Sequence, residues 1–185
     1  MSKIICICGK AQNGKDTTAN LIKEIAESRG NRVLIIHFAD MLKFICKSYV
    51  GWDGNKDENG RKLLQEFGSK LRKSVGDSFD NYNNERYFVD IVSGIIRCVR
   101  DRYDYILIPD TRYINEYETL KSRYNGVSII RVSRPGFDNG LSDEQKKHPS
   151  ETELDGYRYN WVIDNSGTVD DLKRSVENMI RANII

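Results

Sequence analysis

Residues 9 to 18 read Gly-Lys-Ala-Gln-Asn-Gly-Lys-Asp-Thr-Thr and follow the apolar run Ile4-Ile5-Cys6-Ile7-Cys8. Glycines at both ends of a four-residue loop let the backbone bend around an anion with no side chain in the way. A lysine follows the second glycine, and a helical pattern follows the lysine. Strand, loop and helix in this order make the phosphate-binding pattern G-x-x-x-x-G-K. Successive N–H groups and the positive end of the helix point at the anion. Lys15 adds a mobile charge for the β- and γ-phosphates of a nucleotide. Gly9, Ala11, Asn13, Gly14, Lys15, Asp16, Thr17 and Thr18 form the candidate nucleotide-binding set. A Ser or Thr that ligates Mg²⁺ commonly follows the lysine, but Asp16 stands there and the hydroxyls come next. A carboxylate beside phosphates is repelled unless it faces Mg²⁺, its water shell or a basic side chain. Asp16 is therefore a candidate for holding the metal through water.

A second chemical group lies further on. Tyr105-Ile106-Leu107-Ile108-Pro109-Asp110 reads as a strand ending in an acid. In nucleotide-binding sheets such an acid holds Mg²⁺ or its water. Pro109 lacks an N–H, so it belongs at the strand's end. Arg112 is either a phosphate-gripping arginine or one half of a surface ion pair with Glu116. Arg72 is either a second phosphate ligand, for which its planar fork suits it, or part of a solvated helix face. Asp40 either caps the helix that begins there or meets a ligand. Tyr49, Trp52 and Tyr87 are core residues or stacking surfaces for a base.

These residues need positioning elements, and the hydrophobic spacing supplies them. Lys15 to Arg29 reads as a helix with Ile22, Ile25 and Ala26 on one stripe and Gly30 as its stop. Residues 33 to 38 form a continuous apolar run, which suits a parallel strand covered on both faces. A helix starts near Asp40, and a polar stretch from Tyr49 to Gly60 reads as a surface loop. Helical spacing returns from Arg61 to Val75, then from Phe88 to about Arg102 after a polar break over 80–85. Tyr105 begins the third strand, Asn115 to Asn125 fits a helix, and Val127 to Val132 is the fourth strand. Ser133 to Asp155 has no periodicity and reads as a lid or binding loop. Trp161 to Asn165 is the fifth strand, and Thr168 with Asp171 resembles a capping box for the last helix.

The whole is one α/β domain of 185 residues, with a helical insertion at about 40–102 and a lid at about 133–156. A net charge of +2 is too mild for nucleic acid to be a main partner. No signal peptide or membrane-spanning run is evident, so a cytoplasmic location is expected. Cys6, Cys8, Cys46 and Cys98 show no metal-ligand spacing. Cys6 and Cys8 share one strand face, where buried thiols suit a reducing compartment.

The ordered set is more specific than any one string. The loop's Gly-Lys-Asp-Thr is followed by Phe38-Ala39-Asp40-x-Leu42-Lys43, Leu64-Gln65-x-x-Gly68-x-x-x-Arg72 and Asp110-x-Arg112-x-x-Asn115-Glu116. His148-x-Ser150-Glu151 and Asp164-Asn165-x-Gly167 complete it. Together these strings resemble the bacteriophage-type deoxynucleoside monophosphate kinases over nearly the whole chain. The resemblance implies a three-layer sandwich of the P-loop NTPase type, with a five-stranded parallel sheet. It implies transfer of the ATP γ-phosphate to a 2′-deoxynucleoside 5′-monophosphate, with Mg²⁺ held largely through water by Asp16 and Asp110. Lys15, Arg112, Arg134 and Asp110 are then the catalytic candidates, Arg134 closing on the transferring phosphate. Arg131, Asn165 and Gly167 join the ATP site, and Asp40, Lys43, Gln65, Arg72, Arg112 and Glu151 face the acceptor. His148, Ser150 and Glu151 either lock the closed lid or contact substrate, with His148 not assigned as a base, and a homodimer is possible because several such kinases are dimers. Met41 departs from the family's common proline. Two other functions share the loop: a kinase of another small phosphorylated acceptor such as phosphomevalonate, and a nucleotide-binding ATPase with no acceptor.

Overall fold

The computed structural model describes residues 2–74 and 86–182. The expected polar break at 80–85 and the end of the Arg61–Val75 pattern lie outside them. Five strands form one parallel sheet in the order β2-β3-β1-β4-β5. They are β1 (Lys3–Cys8), β2 (Val33–Ile35), β3 (Tyr105–Thr111), β4 (Val127–Ser133) and β5 (Trp161–Asp164). Helices α1 (Lys15–Ser28) and α8 (Val169–Arg181) pack on one face and touch each other. Helices α2 (Ala39–Tyr49), α3 (Glu58–Ser74), α4 (Tyr87–Val99) and α5 (Ile114–Arg123) lie on the other side.

The alternation in β1 explains both layers. Ile4, Cys6 and Cys8 enter a core with residues of α2, α4 and α5, while Ile5 and Ile7 enter a second core with α1 and α8. All five are 2% exposed or less, as a strand covered on both faces requires. Because β1 sits between β3 and β4, the loop after it opens where the strand order reverses, which is where ligands bind in open α/β sheets.

Two expected boundaries shift. The apolar run 33–38 yields only three strand residues. Ile36 still donates its amide to Leu107, but the next turn of chain already belongs to α2. Pro109 lies inside β3, where the pairing with β1 jumps from Cys6–Ile108 to Cys8–Thr111. That bulge leaves a place for a residue with no amide hydrogen. The long segment after β4 carries two short helices, α6 (Asp143–Lys147) and α7 (Pro149–Thr152).

Candidate functional site

The loop after β1 has the geometry of an anion cradle. At Gly9 φ is 145°, and an added Cβ would meet the Val132 carbonyl oxygen at 2.3 Å. At Gly14 φ is 92°, and a Cβ would meet Asn165 Nδ2 at 2.4 Å. Gly9 is therefore required by space as well as by torsion, whereas at Gly14 the torsion decides, and a Cβ would also displace the Asn165 side chain. Gln12 also adopts a left-handed φ of 61°. Asn165 supports the loop by donating to the Asn13 carbonyl at 2.9 Å, and Asn13 donates to the Val132 carbonyl at 3.3 Å. Lys15 is buried and donates to the Lys10 carbonyl at 2.7 Å. Burial, with the nearby Arg112 charge second, pulls its ammonium down to about 7.

A cavity of about 500 Å³ adjoins the loop, a size suited to a small organic ligand. Among its walls are Ala11, Lys15, Asp16, Lys43, Gln65, Arg72, Asp110, Arg112 and Glu151. These nine were all expected from the sequence. Lys56, Arg61, His37, Phe88 and Glu116 also line it and were not foreseen there.

The arginines are held by carboxylates. Arg112 reaches the Glu151 carboxylate and the Ser150 carbonyl, the latter at 3.1 Å. The other Glu151 oxygen accepts the Ala11 amide at 2.8 Å. Arg72 Nη2 donates to Glu116 Oε1 at 3.0 Å. Its guanidinium lies between the rings of Phe88 and Tyr113, 4.5 and 4.0 Å from their centroids. The expected alternatives of a surface Arg112–Glu116 pair and a solvated Arg72 are both replaced. Glu116 is 2% exposed, takes the Arg112 and Tyr113 amides, and pairs with Arg72 instead. Burial pushes its carboxyl up, against the opposing pull of Arg72 and these amides.

The acids near the loop are engaged as well. Asp110 accepts the Phe38 and Ala39 amides, each at 2.9 Å, so it closes the N-terminus of α2. Asp40 does not cap that helix. It accepts the His37 amide at 3.2 Å and pairs with Lys43 at 3.3 Å, beside the pocket rather than among its walls. Asp16 meets His37 Nε2 at 3.2 Å. That bond is the leading cause both of a lowered Asp16 carboxyl and of a raised His37 imidazole. Among the described residues no group of three or more His, Cys, Asp or Glu could cage a metal.

Several expected site residues do not line that cavity. Arg131 binds Asp155 at 2.8 Å, the Tyr159 hydroxyl at 2.6 Å and the Leu154 carbonyl at 3.2 Å. It anchors the segment after β4 and is absent from the pocket walls. Arg134 stacks on Phe137 at 4.0 Å, also away from the pocket. Thr18 is fully buried and donates its hydroxyl to the Gly14 carbonyl, whereas Thr17 is exposed. Gly167 packs against Asp171. Trp52 is core, Tyr49 is exposed, and Tyr87 stacks edge-on against Phe88. His148, by contrast, lines the cavity; it caps α7 by accepting the Ser150 amide at 3.2 Å, and its Nε2 meets Ser69 Oγ of α3 at 3.3 Å.

A phosphate-loop cradle at the switch point of a five-stranded parallel sheet, with an arginine-bearing pocket beside it, defines a P-loop kinase-like α/β protein. A sequence model of the family "Deoxynucleotide monophosphate kinase" matches residues 33–176, most of the chain, and the chain belongs to that family. It is 27% identical over 122 residues to the deoxynucleotide monophosphate kinases of Escherichia phage RB69 and Enterobacteria phage T4. The match takes in 65% of this chain and less than half of either relative, 44% and 45%. In overall fold it is similar to a sugar kinase from a Janibacter species, with a TM-score of 0.56 and 9% identity over 100% of this chain and 96% of that one. A shikimate kinase from Acinetobacter baumannii gives a TM-score of 0.53 and 14% identity over 99% and 95% of the two chains. Among the described residues no helix is long and apolar enough to cross a membrane.

Proposed function

We propose that this chain transfers the terminal phosphoryl group of ATP to a 2′-deoxynucleoside 5′-monophosphate, giving the diphosphate and ADP. One observation carries the reading. The Glu151 carboxylate bridges the Ala11 amide of the loop and the Arg112 guanidinium. An anion thus already lies between the nucleotide cradle and the pocket, where a phosphoryl group in transit belongs. Family membership supplies the acceptor class.

In this mechanism the loop amides and Lys15 hold the β- and γ-phosphates. The acceptor's phosphate oxygen approaches from the pocket, guided by Arg112 and Arg72. It attacks the γ-phosphorus as the bond to the β–γ bridging oxygen breaks, and ADP leaves. Positioning and charge neutralisation supply most of the rate in such transfers. Lys43, Gln65 and Arg61 line the part of the pocket available to the acceptor's sugar and base. The segment at about 133–156 acts as the lid, and the segment at about 40–102 as the acceptor-binding insertion. Mg²⁺ fits here as a hydrated ion: the Asp16 carboxylate is open to solvent at the loop mouth, while both Asp110 oxygens already take amides. When bound with ATP it would neutralise phosphate charge, and Asp16 would hold its water.

The test is ADP release with ATP and a panel of dGMP, dTMP, dCMP and dAMP, with ribonucleotides and phosphomevalonate as further acceptors. Deoxynucleotide-dependent turnover is expected, reduced at least about a hundredfold in Lys15→Ala, in line with the loss of a donor to transition-state charge. ADP release that ignores every acceptor would point to an ATPase instead. Turnover confined to phosphomevalonate would move the acceptor class.

A further inference from the structure

We infer that Glu116 is a positioning residue that sets Arg72 and Arg112 into one clamp for the acceptor's phosphate. The inference deepens the proposed phosphotransfer and rests on it. Glu116 is the third residue of α5, and its return to the Tyr113 amide at 3.2 Å is half of an ordinary helix cap. Capping alone does not call for burial, because an N3 glutamate does the same job on a surface. This one is 2% exposed. Burying a carboxylate is costly unless several donors surround it. Three donors do: the Tyr113 amide, the Arg112 amide at 2.8 Å and Arg72 Nη2 at 3.0 Å.

The three come from two parts of the chain. Arg112 and Tyr113 form the corner between β3 and α5, next to the loop. Arg72 belongs to α3, in the insertion. One anion therefore ties the insertion to the sheet at the point where both guanidiniums line the same cavity. Arg72 has little freedom left: its guanidinium packs against the Phe88 and Tyr113 rings, and Glu116 takes one of its N–H groups. Two guanidiniums facing one cavity repel each other in the absence of an anion. Glu116 on Arg72 and Glu151 on Arg112 offset that repulsion before any phosphate arrives, and Glu116 alone also fixes the backbone from which Arg112 projects. Its carboxylate carries the acceptor site's geometry without touching the acceptor.

The experiment compares wild type, Glu116→Gln, Glu116→Asp, Arg72→Lys and the double variant Glu116→Gln/Arg72→Lys. Wild-type turnover with a deoxynucleoside monophosphate comes first, because its absence would refute the proposed function and not this inference. Glutamine keeps an oxygen for the two amides but turns an NH₂ toward Arg72. Glu116→Gln is expected to raise the acceptor KM at least about tenfold and to leave the ATP KM within about twofold. Glu116→Asp, which keeps the charge, should recover part of the loss and covers the case in which Glu116→Gln fails to fold. The double variant should be little worse than the worse single variant, as for residues acting through one contact. Equal rises in both KM values, an unchanged acceptor KM, or strictly additive losses would each overturn the inference.

Discussion

Lys15 is an ammonium set where only an anion makes it comfortable. It donates to the Lys10 carbonyl, and burial together with Arg112 lowers it to about 7. A polyphosphate would reverse that balance by favouring the charged form. The sign follows directly. At pH 8 the free site holds mostly neutral lysine and the ATP-bound site holds ammonium, so binding takes up protons. At pH 6 the lysine is charged in both states and its contribution vanishes. Calorimetry of ATP binding at pH 8, in buffers of different ionisation heat, should show uptake of up to about one proton. Lys15→Arg stays charged throughout and should remove the uptake. Proton release at pH 8, or an uptake unchanged in that variant, would contradict this account. The lysine's place was legible because the motif fixes it by backbone geometry. Glu116 was not, because spacing shows that residue 116 opens a helix just after Arg112 but not that it is buried against Arg72.

Among the elements, α2 has the least conventional start. Its N-cap is Phe38, which has no side-chain acceptor, so the first amides would be orphaned. Asp110 reaches across from β3 and takes two of them. The carboxylate expected to orient metal is thus also a cap supplied by a different element. Asp110→Ala should lower stability by about 1–2 kcal/mol in urea unfolding, the usual cost of a lost cap, in the absence of any metal. An unfolding midpoint identical to wild type would leave Asp110 with a ligand role alone. The same contact explains why the apolar run 33–38 gives so short a strand. Once Asp110 claims the Phe38 and Ala39 amides, the chain turns helical. No local signal in the run announces a partner seventy residues away. Strands β1, β3 and β4 were legible because burial on both faces writes a continuous apolar signature, and Cys6 and Cys8 are as buried as their shared face implied; β5 is an edge strand with Val162 exposed, and it was legible only as a short apolar run between turns. Arg131, expected at the nucleotide, shows the opposite limit. It stands at the ligand end of β4, but Asp155 and Tyr159 lie close enough to claim it.

At the scale of the whole molecule, the segment after β4 already lies against the loop and the insertion. Gln12 donates to the Asn139 carbonyl at 2.9 Å, Lys10 pairs with Asp155, and Gln145 reaches the Glu58 carbonyl at 3.3 Å. With the His148–Ser69 contact, these bonds join three regions around the cavity. They also carry Glu151 into the mouth of the loop, where its carboxylate takes the Ala11 amide and Arg112. A nucleotide's terminal phosphate needs those same donors and repels that charge. The Glu151 side chain must therefore move for the polyphosphate to seat, and its charge works against binding. Two unit charges about 4 Å apart interact by about 4 kcal/mol near a protein surface, an upper limit when one of them can swing away. Glu151→Gln keeps the shape and an acceptor for Ala11 but drops the charge. It should tighten ATP binding by about three- to tenfold, equivalent to about 0.7–1.4 kcal/mol, as read by calorimetry. Weaker binding in that variant would mean that the carboxylate assists the bound nucleotide, through its hold on Arg112, rather than competing with it.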